Sequence, residues 1–286
     1  MRFNQASSSR PDADTSVKIA QRLNRSSGIL AASVLFDSAV EHYRGGFYNP
    51  AMITPLVTSL VSLVASIHGV GDTAQQRHRN RDTIFAATAA TGIVGTGFHI
   101  YNTLKKPGRV RWQKFFFSGP LGAPAAIGLS GLFGLFAERV RDTPPRQDPK
   151  LLGQGAGRVL TLATALGILA TSAEAWLLHF RGAFHNPAMY LPVTIPPIGS
   201  ALLTKAALSR SQTNTPLTRA WLGLTAIMGA TGVGFHVFGV SRGMGGWRNW
   251  RQNMVDGPPI PAPPSFIGLA LAGLAALALM RAHPED

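Results

Sequence analysis

HYRGGFYNPAM, at His42–Met52, recurs as HFRGAFHNPAM at His179–Met189. The offset of 137 residues reaches well beyond this motif. It sets Asp37 on Glu174, Pro55 on Pro192 and His99 on His236, so that TAATGIVGTGFH at Thr88–His99 faces TAIMGATGVGFH at Thr225–His236. Farther on the register slips a little, with Trp112 falling on Trp250 and Gly119-Pro120 on Gly257-Pro258. Self-similarity held at one spacing marks a tandem duplication.

The residues between the motifs indicate what was duplicated. Only 14% of the 286 residues are charged and 45% are apolar, with a formal charge of +14. A soluble domain usually carries about a quarter charged residues. A basic balance alone fits nucleic acid, but the apolar stretches match the thickness of a bilayer and the Lys and Arg fall between them. No nucleic-acid partner is expected. The absence of cysteine excludes disulfides, thiolate-ligated metal and covalently attached c-type haem.

Eight apolar segments stand out: Ser27–Tyr43, Ala51–Val70, Thr83–Leu104, Gly122–Val140, Gly157–Phe180, Ala188–Leu208, Thr218–Val240 and Pro263–Met280. They predict an all-α integral membrane protein with eight transmembrane helices arranged as two parallel four-helix tandem repeats. The repeats cover 27–141 and 157–281, joined by an inner linker at 142–156. Flanking them are a cytoplasmic N-terminal tail, 1–26, and a C-terminal tail, 282–286. No cleavable signal is evident. Asp12–Arg25 reads either as a disordered tail or as a surface helix with Val17, Ile19, Ala20 and Leu23 toward lipid. Four spans per copy bring both copies into the membrane with the same orientation, related by an axis along its normal.

Seventeen of the 27 Lys and Arg fall on the side of the N-terminus, which places both termini inside, in a bacterial cytoplasmic membrane. The loops RVRWQKFFF and WRNWRQNM, with Trp112 and Trp250, lie outside although they are basic. They fit an anionic ligand or an exported redox protein there, or anchoring of the chain at the headgroups.

The NPA triplets resemble those of aquaporins over three residues. In that family the two half-helices enter from opposite faces, whereas here both lie on one face. Asn49 and Asn186 read instead as helix N-caps, with Pro50 and Pro187 at the first helical position. The phrase HF before a proline-bearing helix start resembles small four-helix membrane proteins, including the DoxX-like group, over a stretch that transfers no residue's role.

The repeated polar residues gather at one level. His42 and His179 end the first and fifth spans, and His99 and His236 lie near the outer ends of the third and seventh. Asp37 and Glu174 sit deeper, where an unpaired charge is costly. Four imidazoles and two carboxylates predict a site for iron, copper, manganese or zinc. A b-type haem held axially by His42 with His99, or by His179 with His236, is the rival reading. For haem, Arg44 and Arg181 pair with propionates, and Gly92, Gly95, Gly97, Gly229, Gly232 and Gly234 admit the macrocycle; close helix packing explains the same glycines. Positions five apart on a helix stand about 140° apart, so Asp37 and His42 do not share a face. A polar network that docks the two halves accounts for the same residues.

Three functions follow as expectations. One is a metal- or haem-binding redox subunit with an outward-facing site. Another is a transporter or channel whose Asp37 and Glu174 carry protons or cations at the repeat interface. The third is an anchor for an exported partner. No catalytic residue is assigned. Pro55 and Pro192 are expected to kink their helices, and His78 to be solvated.

Overall fold

The computed structural model describes residues 13–116, 118–119, 121–144, 147–209 and 215–283. Of the seventeen Lys and Arg expected inside, Arg2, Arg10, Arg146 and Arg210 lie outside the described residues, as do Asp12, Pro120 and 284–286 of the C-terminal tail. The described chain is mostly helical. Its helices are α1 Ala13–Arg44, α2 Thr54–Gly71, α3 Arg79–Leu104, α4 Trp112–Phe116, α5 Gly122–Arg141, α6 Ala156–Arg181, α7 Leu191–Leu208, α8 Pro216–Ser241, α9 Trp250–Asp256 and α10 Pro264–Ala282. A two-stranded hairpin, β1 Lys150–Leu151 and β2 Gln154–Gly155, sits in the linker between α5 and α6. Its turn residues Leu152 and Gly153 both have positive φ, at 53° and 77°.

Helix α1 starts well before the expected first span. Residues 13–26 are its opening turns, not a tail or a separate surface helix, and Ile19, Ala20 and Leu23 are buried in the main core instead of facing lipid. The helix thus continues because its apolar positions have a protein surface to bury against.

Four helices form the centre. Helix α1 packs on α5 and α10, and α6 packs on α10 and α5. The remaining long helices lie outside them: α2 against α1, α3 against α5, α7 against α6 and α8 against α10. The outer helices show a continuous apolar surface, including Val57, Leu60, Val64 and Ile67 on α2, Ile93 and Val94 on α3, and Ile227 and Phe238 on α8. A surface of this kind is stable in lipid and not in water.

Six stretches are long and apolar enough to cross a membrane: Pro50–Gly71, Arg79–Leu104, Ala156–Arg181, Pro187–Leu208, Pro216–Ser241 and Pro264–Ala282. Helices α1 and α5 are also long, at 32 and 20 residues, but are not among these six.

Small residues let the central helices meet closely, as membrane packing without a hydrophobic driving force requires. Ser27 and Ser130 exchange hydrogen bonds, with Ser27 Oγ 2.8 Å from Ser130 O and Ser130 Oγ 2.9 Å from Ser27 O. Ser62 and Ser66 join them from α2. Ser26 Oγ donates to Gly268 O at 2.7 Å, and Ser33 Oγ to Pro261 O at 2.5 Å, tying α1 to α10 and the turn before it. Gly92 faces Gly128 so closely that an added Cβ would stand 2.2 Å from the Gly128 nitrogen.

Candidate functional site

The repeated motif builds the same turn twice. After α1, the Phe47 N–H bonds back to His42 O at 3.0 Å; after α6, the Phe184 N–H bonds back to His179 O at 3.1 Å. Each turn takes two residues with left-handed backbone, Gly46 (φ 70°) with Phe47 (46°), and Ala183 (55°) with Phe184 (46°). Asn49 and Asn186 then cap the next element, each side chain accepting from the N–H two residues on at 2.9 Å. Pro50 and Pro187 open 3₁₀ turns, Pro50–Ile53 and Pro187–Tyr190, that lead into α2 and α7. Pro55 and Pro192 stand in the first turns of those helices, where the missing N–H is harmless, so they do not act as mid-span kinks.

The histidines lock these turns. His42 Nδ1 lies 2.6 Å from Met52 O and His179 Nδ1 lies 2.7 Å from Met189 O, spanning the same ten residues. His236 Nδ1 lies 2.7 Å from Pro259 O, joining α8 to the segment before α10. His99 lies beside Gly119, its Nδ1 3.8 Å from where a Cβ would stand. Since a carbonyl only accepts, Nδ1 carries the proton in His42, His179 and His236, and Nε2 keeps its lone pair. His179 and His236 are electrostatic neighbours. Among the described residues no three or more His, Asp or Glu are gathered as a metal cage.

The arginines take a different use from propionate pairing. Arg181 Nη2 donates to Phe115 O at 3.0 Å and Ser118 O at 3.1 Å, and its guanidinium lies over the Phe116 ring. Arg44 donates to Glu41 at 2.9 Å and to Val255 O. Each arginine therefore reaches from the end of its own helix to the loop that precedes the last long helix of the other half. These contacts also place the ends of α1 and α6 at one end of the molecule, the motif end.

The carboxylates follow the same crossing. Glu174 Oε1 accepts from the Leu121 N–H at 3.2 Å, at the start of α5, with its side chain against Gly122. Asp37 faces the equivalent start of α10, beside Pro259 and Pro261. Pro259 and Pro261 have no N–H to give, the Ile260 N–H between them is not bonded to it, and Asp37 has no hydrogen bond among the described residues. It lines a cavity of about 10 Å³, room for one water, with Glu41 and Arg44. Asp37 and Glu174 are electrostatic neighbours.

Most of the glycines thought to admit a macrocycle serve helix packing. Gly92 and Gly95 meet Gly128 and Pro124 of α5, and Gly229 and Gly232 meet Pro263 at the start of α10. Gly97 and Gly234, nearest the histidines, face open space.

The two basic loops contain short helices, α4 and α9, that the apolar pattern does not predict. Trp112 packs edge-on against Phe116 and Phe180, and Trp250 lies under the Arg251 guanidinium.

A second polar cluster, absent from the sequence reading, lies at the opposite end. Arg81 Nε donates to Glu138 Oε1 at 3.0 Å, and its Nη2 to Asp72 Oδ2 at 2.7 Å and Glu138 Oε2 at 2.9 Å. Arg81 Nη1 donates to His68 Nδ1 at 2.7 Å. Arg141 donates to the carbonyls of Gly69 and Asp72, both at 2.7 Å. Glu138 and Arg141 are completely buried. His78 belongs to this cluster and is not merely solvated: its N–H donates to Glu138 Oε2 at 2.9 Å and its Nε2 lies 3.0 Å from Asp72. Burial opposes ionisation of Asp72, but the Ala74 N–H, Arg81 and Arg141 outweigh it and hold the carboxyl down at about 2. The signal was the pair Glu138 and Arg141, one turn apart at the end of an apolar segment. It was missed because the repeat has nothing to match it: the aligned region of α10 is apolar.

Comparison with protein-family models, with curated proteins and with solved structures finds no match to this chain.

Proposed function

We propose that this chain is an eight-span membrane protein of two parallel four-helix repeats that carries b-type haem, or a transition metal, at its outward-facing end and serves as a redox subunit. The histidines are the ligands, His42 with His99 in the first half and His179 with His236 in the second. One observation carries the reading. His42, His179 and His236 each commit Nδ1 to a backbone carbonyl, which fixes the ring and leaves Nε2 as a coordinating nitrogen. The electrostatic interaction between His179 and His236 supports the same use. Two imidazoles in each half suit axial ligation of a haem better than a cage of three or more donors. The bound group would supply one-electron chemistry; the protein orients the rings and docks the halves. Both repeats enter the membrane in one sense in this reading, which the crossed contacts of Arg44 and Arg181 support.

The test is an absorption spectrum and elemental analysis of the purified protein. A haem Soret band, or stoichiometric iron or copper, is expected, with a loss of about half on His236→Ala. Colourless, metal-free protein that retains all four histidines contradicts the proposal.

A second reading, a proton- or cation-coupled transporter, is favoured by Asp37, which has no hydrogen bond among the described residues and borders a small cavity between the halves. Uptake into vesicles that collapses on Asp37→Asn supports it; unchanged flux removes it.

A further inference from the structure

We infer that each repeat carries a site for an anionic phospholipid headgroup, built where α3 and α8 end on the motif side of the molecule. The sites are Phe98, Tyr101 and Lys105 in the first half, and Phe235, Phe238 and Arg242 in the second. The 137-residue offset relates the two sets position by position.

Spacings of three and four residues put each set on one face of its helix. Both faces are open, and to matching extents. Phe98 and Phe235 are 50% and 48% exposed, and Tyr101 and Phe238 are 61% and 59% exposed. These rings extend the exposed apolar surfaces that include Val94 on α3 and Ile227 on α8, which suit acyl chains. Each stripe then ends on a cation that folds back over its last ring. Lys105 Nζ lies 5.3 Å from the centre of the Tyr101 ring, and the Arg242 guanidinium carbon 5.9 Å from that of Phe238. A cation held over a ring in this way keeps its charge and its remaining N–H donors for a further partner.

The surrounding charge points to an anion from outside the chain. At this end of the molecule the one ion pair among the described residues is Arg44 with Glu41. The loop 105–121 has no Asp or Glu, and the loop 242–263 has Asp256 alone, which accepts from Gln252. Each loop adds two exposed arginines, Arg109 with Arg111 and Arg248 with Arg251. A cation at a helix C-terminus also suits the helix dipole, but that needs no aromatic ring beneath it. A soluble acidic protein would meet the cations but not rings set among lipid-facing side chains. A phosphate above an acyl chain meets both.

Native mass spectrometry of the full chain in detergent tests this, with phosphatidylglycerol titrated against phosphatidylcholine as competitor. The wild type is expected to retain two phosphatidylglycerol molecules that phosphatidylcholine does not displace. Lys105→Gln and Arg242→Gln should each weaken one of the two about fivefold, and the double variant both. Arg281→Gln, an exposed cation at the end of α10, should change neither. Equal binding of the two lipids by the wild type overturns the inference and leaves the basic loops to an acidic partner protein. Displacement by excess inorganic phosphate also overturns it, since the site would then take a soluble anion. Variants that melt earlier yet bind as much phosphatidylglycerol as the wild type overturn it too, because the two cations would then serve only their helix ends.

Discussion

At the scale of single residues, the motif histidines have two nitrogens with separable tasks. Asparagine places an amide donor near the position of Nδ1 but offers nothing where Nε2 stands. His179→Asn should therefore keep the tie to Met189 O and leave the melting temperature within a few degrees of wild type, while removing the cofactor of the second half. Loss of both stability and cofactor would mean that the ring is needed for the turn itself. Ala183 holds a left-handed position that its counterpart gives to Gly46. Ala183→Gly should stabilise the protein by about 0.5–1 kcal/mol, measured by denaturation in detergent, because a Cβ is disfavoured there. Much of this was legible beforehand: Asn-Pro announced a cap, and the repeated spacing announced a shared geometry. The crossing of Arg44 and Arg181 into the opposite half was not, because a sequence records spacing along one half and not which surface a long side chain meets.

At the scale of helices, charge burial and close packing decide what can change. Glu138 is completely buried and receives Arg81 and the His78 N–H, with Arg141 nearby. Removing it as Glu138→Ala leaves buried guanidinium charge uncompensated and should cost about 3–5 kcal/mol of stability. Asp72 contributes with the opposite acid sensitivity to a histidine. Its carboxyl is held at about 2, below its ordinary value near 3.8, so its contribution is complete at neutral pH and is lost as pH falls from about 4 toward 2. A melting-temperature profile over that range should flatten in Asp72→Asn; an unchanged profile would assign the acid transition to other groups. Gly92→Val should separate α3 from α5, since even a Cβ there overlaps Gly128. Apolar periodicity revealed the outer helices well because lipid imposes it. It understated α1, whose early turns are buried by protein and carry Ser, Asn and Lys among the apolar positions.

At the scale of the molecule, the two motif turns carry the contacts that tie the N-terminal helices to the C-terminal ones. Each half sends an arginine and a carboxylate toward the other, and Glu174 accepts a backbone N–H where Asp37, beside Pro259 and Pro261, accepts none among the described residues. This leaves Asp37 and Glu174 chemically unequal despite matching places in the sequence. The chain has no cysteine, so single introduced thiols report the arrangement without background. The most direct measurement is labelling of Tyr48→Cys, His185→Cys and Gln154→Cys, one per protein, with a membrane-impermeant maleimide applied to sealed vesicles of known orientation. Two parallel halves predict that Tyr48→Cys and His185→Cys react from one face and Gln154→Cys from the other. Reaction of Tyr48→Cys and His185→Cys from opposite faces would contradict the account.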